Sequence, residues 1–170
     1  CQSTKRRSLW LGANLLTAIL AAAAIGIFEA TIEKVVTLAI LMPIVASMGG
    51  IAGMQSLALV IRSQALDQIG SSNSRLLIIK EASIGVLNGV LWSSVVALAV
   101  YIWFNSVFLG IVIASALMIN LIIGAISGVS LPLILSKLKI DPALAGGVIL
   151  TTITDIVGFI SLLGIATLIL

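Results

Sequence analysis

The sequence contains no histidine, few charged residues and a single cysteine, which is its first residue. With only Cys1 as a thiol and no imidazole, the chain can build neither a disulfide framework nor a Cys/His metal cluster. Charged residues make up 9% of the chain and hydrophobic residues 61%, against roughly 45–50% in a soluble domain. Together with the mean hydropathy of +1.30, this composition predicts a membrane protein with no separate soluble domain.

The net charge of +3 does not indicate nucleic-acid binding. The cations are scattered over short segments between apolar runs, a distribution that is typical of membrane topology. No nucleic-acid partner is expected, and lipid is the expected surrounding.

Five continuous apolar runs divide the chain. A hydrocarbon core about 30 Å thick needs about 20 apolar residues per helix, so we predict an all-α protein with spans at 8–28, 35–61, 76–104, 107–135 and 142–170. Residues 1–7 form a cytoplasmic lead-in, and 8–170 form one transmembrane domain. The first run is too long for a signal peptide and lacks a cleavage site. Because residue 1 is not methionine, we expect a fragment of a longer protein or a processed or engineered start.

Basic residues fall on alternate sides of successive spans. One side receives eight of the nine: Lys5, Arg6, Arg7, Arg62, Arg75, Lys80, Lys137 and Lys139. Lys34 alone falls on the other side, beside Glu29 and Glu33. The positive-inside rule therefore predicts a multi-pass inner-membrane protein with a cytoplasmic N-terminus and an external C-terminus.

Asp155 is the one acid predicted near the middle of a span, whereas Glu81 lies just inside the cytoplasmic start of the third. An uncompensated carboxylate at that depth costs about 2.5–3.5 kcal/mol, and no basic residue is predicted within a span to pair with it. Either an ion or a proton compensates the charge, or the acid is protonated and hydrogen-bonded to a neighbouring helix. Thr151 and Gly158 share its helix face. The hydroxyls of Thr151, Thr152 and Thr154 either face the site or bond back to carbonyls one turn earlier.

The second span contains Pro43 and three glycines, Gly49, Gly50 and Gly53. Proline lacks a backbone donor, so we predict a helix break at Pro43 and a water-facing segment that continues to Gln55. The alternative is close packing, because Gly49/Gly53, Gly85/Gly89 and Gly124/Gly128 are pairs of small residues one turn apart. Elsewhere, Asp141-Pro142 is typical of a helix start. Asn14, Asn88 and Asn120 are predicted to form hydrogen bonds between helices, with ion ligation as the alternative.

These motifs resemble the MgtE family of magnesium channels. The resemblance is carried by MPIVASMGGIAGMQ at 42–55, by DPA at 141–143 through TTITD at 151–155, by LWLGANLLT at 9–17, by Phe28-Glu29 and by Gly158-Phe159. It covers nearly the whole chain. One residue departs from the pattern, because Ile51 stands where the family motif usually has asparagine.

The resemblance implies a homodimer of five-helix subunits with an ion pore along the dimer axis, between the second and fifth helices. It places Asp155 at the family's ion-selecting acid. Because Thr151 shares the helix face of Asp155, we predict these two as the metal-site residues, and we predict that the pore is lined by Gly49, Gly50, Gly53, Gly147, Val148 and Gly158. Mg²⁺ would be the transported ion. The family's cytoplasmic regulatory region, an acidic N-terminal domain and a pair of CBS domains, is missing from these 170 residues.

Passive Mg²⁺ conduction is thus the expected function, and a proton- or sodium-coupled divalent cation transporter is the alternative. Intramembrane hydrolysis is disfavoured, because a serine-histidine dyad needs histidine and an aspartyl dyad needs a second membrane-depth aspartate. We therefore expect no enzymatic activity. A purely structural membrane scaffold is the remaining class, and cation flux through the isolated chain would exclude it.

Overall fold

The computed structural model describes residues 2–66 and 74–170. Cys1, Asp67 and the side chains of Lys5, Arg6 and Arg7 lie outside the described part. Within it, every regular element is a helix, which confirms the predicted all-α class. The six helices are α1 (Gln2–Gly26), α2 (Glu29–Lys34), α3 (Thr37–Ala65), α4 (Ser74–Phe104), α5 (Val107–Lys137) and α6 (Pro142–Ile169).

Four of these helices, α3 to α6, are long and apolar enough to cross a membrane, and α1 contributes a shorter apolar stretch, Trp10–Gly26. The observed bounds lie within a few residues of the predicted ones, except that α1 begins at Gln2 and so includes most of the predicted lead-in. The segment Glu29–Lys34, predicted as a loop, forms the short helix α2.

Helix α5 occupies the centre of the bundle and packs against α3, α4 and α6, while α1 packs on the outside against α6. Its buried side chains follow the helical period from Leu109 to Leu135 and meet apolar residues of all three neighbours. The central position of α5 keeps α4 away from α6 and leaves α3 and α6 adjacent on the opposite side. The candidate site lies between these two adjacent helices, α3 and α6.

Small residues allow α5 to approach α3 closely. A side chain at Gly124 would meet the backbone carbonyl of Gly49, and one at Gly128 would meet that of Gly53. On the other side of α5, Gly85 and Gly89 of α4 pack against Ala125 and Met118, respectively. The predicted close packing of glycine pairs is therefore confirmed, and these contacts fix the rotation of α3 about its axis.

Two predicted boundaries have the expected chemistry. Asp141 Oδ1 accepts a hydrogen bond from the amide of Ala143 at 3.0 Å, and Pro142 begins α6. The two residues between the predicted spans 76–104 and 107–135 form a turn: Asn105 has a φ of 48°, and the Ser106 hydroxyl caps α5 by accepting from the amide of Leu109 at 3.3 Å. Both caps satisfy amides that have no partner within their helix.

Side-chain hydrogen bonds connect helices at both ends of the bundle. Ser136 near the end of α5 donates to Gln64 near the end of α3 at 3.4 Å. At the opposite end, the hydroxyls of Thr31 on α2 and Thr167 on α6 lie 2.7 Å apart. The C-terminal ends of α3 and α5 therefore share one end of the bundle, which also receives Arg62 and Lys137.

Candidate functional site

A groove of about 580 Å³ runs between α3 and α6. Most of its wall comes from one face of α3, and α6 contributes two polar side chains. The lining residues are Ala46, Ser47, Gly50, Ile51, Met54, Gln55, Ala58, Thr151 and Asp155. We call this feature the α3/α6 groove. It brings the acid of the last predicted span next to the glycine-rich segment of the second.

Asp155 lies about halfway along α6 and is half-buried in the groove wall. Among the described residues it forms no hydrogen bond or ion pair. The hydrogen bond to a neighbouring helix that a purely structural aspartate would need is therefore not formed within the described part of the subunit. The groove holds a carboxylate whose charge no described side chain of the same subunit compensates.

Thr151 lies one helical turn before Asp155 and faces the same groove. Its hydroxyl donates back to the carbonyls of Gly147 and Val148 at 3.0 and 3.1 Å, and Thr152 and Thr154 form similar bonds. All three threonines therefore bond back to their own helix, and Thr151 does so while also facing the groove. A hydroxyl has one donor and two acceptor lone pairs, so the lone pairs of Thr151 remain available to accept from water or from a hydrated cation.

The six residues that were predicted to line a pore do not all lie at the groove. Gly50 lies in the groove, and Gly147 lies beside it, where an added Cβ would be 3.7 Å from the methyl group of Met54. Val148 is half-buried. In contrast, the remaining three glycines are buried inside the subunit, where they pack against α5 or α6: Gly49, Gly53 and Gly158. At those three positions the geometry favours the packing alternative.

Pro43 does not interrupt its helix. Helix α3 continues from Thr37 to Ala65 with Pro43 inside it, so the predicted helix break is not observed. Pro43 lies in the second turn of α3, where its missing donor leaves a single carbonyl, that of Ala39, without its usual partner. The hydrogen bonds on either side are sufficient to carry the helix through this position.

Two polar residues of α3 also lie in the groove: Gln55, which ends the segment predicted to face water, and Ser47, which was not singled out from the sequence. Ser47 and Gln55 of α3 line it together with Ile51, the residue that departs from the family motif. Ser47, Ile51 and Gln55 are spaced four residues apart along α3, and this spacing from Gln55 could have identified Ser47 from the sequence.

Residues 42–165 match the sequence profile of a family described as MgtE, divalent cation transporter. This chain belongs to the MgtE family. A magnesium transporter MgtE from Bacillus subtilis is 40% identical over 162 residues, which cover 95% of this chain and 36% of the relative. One from Thermus thermophilus is 30% identical over 164 residues, covering 96% of this chain and 36% of the relative.

A third relative, a magnesium transporter MgtE from Enterococcus faecalis, is 28% identical over 167 residues, which cover 98% of this chain and 37% of the relative. The chain thus spans little more than a third of the length of these curated relatives. The MgtE family match begins in α3 and ends in α6, so it includes every residue that lines the α3/α6 groove.

This MgtE family chain contains a second acid inside the bundle. Glu81 of α4 is only 6% exposed and accepts a hydrogen bond from the Ser56 hydroxyl of α3 at 2.7 Å. The bond passes α5 at the level of Gly128, where the absence of a side chain leaves room for Ser56. The sequence placed Glu81 near a span end but did not show that it faces inward. Glu81 connects the back of α3, away from the groove, to α4.

We predict that Glu81→Ala destabilises the fold by about 1–3 kcal/mol, because it leaves the buried Ser56 hydroxyl without its acceptor. Glu81→Gln retains an acceptor oxygen and should cost less. Thermal unfolding in detergent measures both effects. Ser83→Ala is the matched control, since the Ser83 hydroxyl is exposed and bonds only to the carbonyl of Ile79 on its own helix at 2.9 Å. Equal unfolding temperatures for Glu81→Ala and Ser83→Ala would contradict this role.

Proposed function

We propose that this chain is the pore domain of a magnesium channel, through which hydrated Mg²⁺ passes along the α3/α6 groove beside Asp155. The observation that carries the proposal is the carboxylate at mid-helix in a groove, unpartnered among the described residues. A carboxylate in hydrocarbon is costly and typically marks an ion or proton pathway. The magnesium transporters of similar sequence support Mg²⁺ as the ion.

The size and chemistry of the groove suit a hydrated ion. Six waters at about 30 Å³ each occupy roughly 180 Å³, which is well below the groove volume of about 580 Å³. Mg²⁺ loses its waters reluctantly, so recognition through those waters costs less than direct coordination. Asp155 would accept hydrogen bonds from the water shell and supply negative charge, while the free lone pairs of Thr151 would accept from another water of the shell.

A second copy of the chain is proposed to cover the groove. One subunit leaves Asp155 half-buried at the membrane side of the bundle, where lipid would be an unfavourable neighbour. Two-fold symmetry would place two α3/α6 grooves face to face and two Asp155 carboxylates near one axis. Like charges at that distance repel each other, so a divalent cation between them is favoured over a monovalent one.

The proposed topology has five crossings, with α1 as the first. The apolar stretch of α1, Trp10–Gly26, is about 25 Å long at ~1.5 Å per residue, which is at the lower limit of about 17 residues for a transmembrane helix. The bundle end that holds the C-termini of α3 and α5 is basic and is therefore assigned to the cytoplasm. Under an inside-negative potential, each divalent ion gains about 4.6 kcal/mol per 100 mV, twice the value for a single charge.

Ion flux into liposomes that contain the purified chain tests this function. We expect Mg²⁺ influx that follows an imposed membrane potential and persists when proton and sodium gradients are collapsed. Influx that requires either gradient would instead establish the coupled transporter. A folded, correctly inserted chain that passes no Mg²⁺ under any gradient would contradict both mechanisms.

Dimerisation through the groove face predicts where subunits can be crosslinked. Ile51 lies in the groove and is 55% exposed, so Ile51→Cys in a Cys1→Ser background should form crosslinked dimers in membranes. Leu87→Cys is the matched control. Leu87 is 71% exposed but lies on α4, which α5 separates from the groove. Efficient crosslinking at Leu87 and none at Ile51 would contradict the proposed dimer.

A further inference from the structure

Asn120 is the polar residue at the point where α3, α5 and α6 meet. Its side chain is fully buried, at 0% exposure. The amide nitrogen Nδ2 donates a hydrogen bond to the backbone carbonyl of Val45 in α3 at 2.8 Å. Of the three intramembrane asparagines that were predicted to bond between helices, Asn14 and Asn88 are exposed and only Asn120 forms such a bond among the described residues.

Two glycines make room for the Asn120 amide, one on each neighbouring helix. A Cβ built at Gly49 of α3 would lie 2.5 Å from Asn120 Cγ and 2.8 Å from Oδ1. A Cβ built at Gly158 of α6 would lie 2.8 Å from Asn120 Nδ2. All three distances are shorter than real Cβ contacts, so the Asn120 amide fits only because neither glycine carries a side chain. The Asn120 amide is therefore a spacer between α3 and α6.

This spacer lies directly behind the α3/α6 groove. Gly49 precedes Gly50 of the groove wall, and Gly158 follows Asp155 by less than one helical turn. Any change in the separation of α3 and α6 at Asn120 must therefore change the distance between the groove wall and the Asp155 carboxylate.

Burying the Asn120 amide costs folding free energy, which indicates that this residue has a role other than stabilising the fold. Among the described residues, Asn120 Oδ1 is a buried side-chain atom without a hydrogen-bond partner. Leaving such an atom unpaired costs about 1–3 kcal/mol, and an apolar side chain would avoid that cost. A residue that is unfavourable for stability but holds two site-forming helices at a fixed distance is typical of a functional constraint.

We propose that Asn120 is a positioning residue that sets the width of the α3/α6 groove and thereby its selectivity among hydrated divalent cations. The proposal rests on the proposed function, because it assigns ion selection to that groove. Mg²⁺ and Ca²⁺ differ in size and in the rigidity of their water shells. A groove that recognises the hydrate should distinguish them by fit, and this discrimination should depend on the spacer.

The test combines substitutions on both sides of the contact. We expect Gly49→Ala and Gly158→Ala each to impair Mg²⁺ flux, because the added methyl group meets the amide. Asn120→Ala should restore flux to each of them, with a coupling of about threefold or more, as is found for residues in contact. By itself, Asn120→Ala should lower the Mg²⁺/Ca²⁺ flux ratio. Gly164→Ala is the control on α6, since its Cβ would meet nothing closer than 3.8 Å.

A structural measurement tests the positioning role of Asn120 independently of Mg²⁺ flux, and so independently of the proposed function. The rate at which a short bifunctional thiol reagent crosslinks a Met54→Cys/Gly147→Cys pair reports the separation of α3 and α6. The Met54 methyl group lies 3.7 Å from a Cβ built at Gly147, so the two shorter cysteine side chains face each other across a gap that such a reagent can bridge. Asn120→Ala should change that rate even if the wild-type chain passed no Mg²⁺, an outcome that would overturn only the proposed function. Asn120→Ser serves the same purpose if the alanine variant does not fold. Additive effects of Gly49→Ala and Asn120→Ala, with unchanged crosslinking and selectivity, would overturn the positioning role.

Discussion

Asp155→Asn is expected to abolish selective Mg²⁺ binding while leaving the fold intact. At an effective dielectric constant of ~20, a divalent ion about 5 Å from a carboxylate interacts with it by roughly 6–7 kcal/mol. Asp155 is half-buried, so water screens much of this attraction. We therefore expect a net loss of about 2.7 kcal/mol, or a hundredfold in affinity. Mg²⁺ flux in liposomes and Mg²⁺ binding by calorimetry measure the loss.

Further substitutions at Asp155 distinguish the effect of its charge on Mg²⁺ flux from the effect of its side-chain shape. Asp155→Ala should resemble Asp155→Asn in flux, whereas Asp155→Glu should still bind divalent ions, with a changed rate or selectivity because its oxygens lie one methylene further along the groove. Glu81→Gln is the matched control, since it makes the same acid-to-amide change at the other acid of the bundle, which faces away from the groove. Thermal stability of the metal-free Asp155→Asn variant should be unchanged or higher. If Asp155→Asn kept the selectivity of the wild type and unfolded more readily, Asp155 would be a structural residue and not an ion-selecting one.

Gly128→Ala is expected to be among the most destabilising single-methyl additions in the chain. The methyl group would meet the backbone carbonyl of Gly53 and the Cβ of Ser56. A backbone atom cannot rotate away, so α3 and α5 must separate, and overpacking of this kind typically costs about 1–3 kcal/mol. That separation would also displace the groove wall. We therefore expect both a lower unfolding temperature and reduced Mg²⁺ flux.

Controls for this substitution are available in α1 and α6. A Cβ at Gly12 or Gly26 of α1 meets nothing within 4 Å, and one at Gly164 of α6 makes only ordinary contacts. Alanine at each of these positions should be neutral in unfolding measurements, or slightly stabilising because alanine favours the helix over glycine. If Gly128→Ala were as well tolerated as Gly26→Ala, the close approach of α3 and α5 would be wrong.

Local sequence signals were sufficient for the four long helices α3 to α6 and their boundaries, but not for α2 or for the start of α1. Long apolar runs can be satisfied at membrane depth only as helices, and the Asp141-Pro142 and Asn105-Ser106 pairs mark helix starts by rules that need no tertiary contacts. The same holds for the threonine back-bonds, which connect atoms of one helix. Asp155 also stood out from the sequence alone, because a single acid in an apolar span is conspicuous.

The sequence could not show which face of each helix lies inward. Lipid and protein interior are both apolar, so no amphipathic period separates them. Gly49 and Gly50 are neighbours in sequence, but only Gly50 lies in the groove, since helical rotation turns Gly49 toward Asn120. For the same reason, the sequence placed Glu81 near the start of its span but did not show that it faces inward. The groove arises from the rotation that the α3–α5 glycine contacts impose, and those contacts exist only in the folded bundle.

The position of the bound ion tests the central claim most directly. A structure of the chain determined in the presence of Mg²⁺, or of Mn²⁺ for its anomalous signal, should show metal density in the α3/α6 groove. We predict that the metal lies one water layer from the Asp155 carboxylate, within reach of the Thr151 hydroxyl through the same water shell, and that this density is lost in Asp155→Asn. Metal density that lies outside the groove, or that persists unchanged in Asp155→Asn, would contradict the proposed ion pathway.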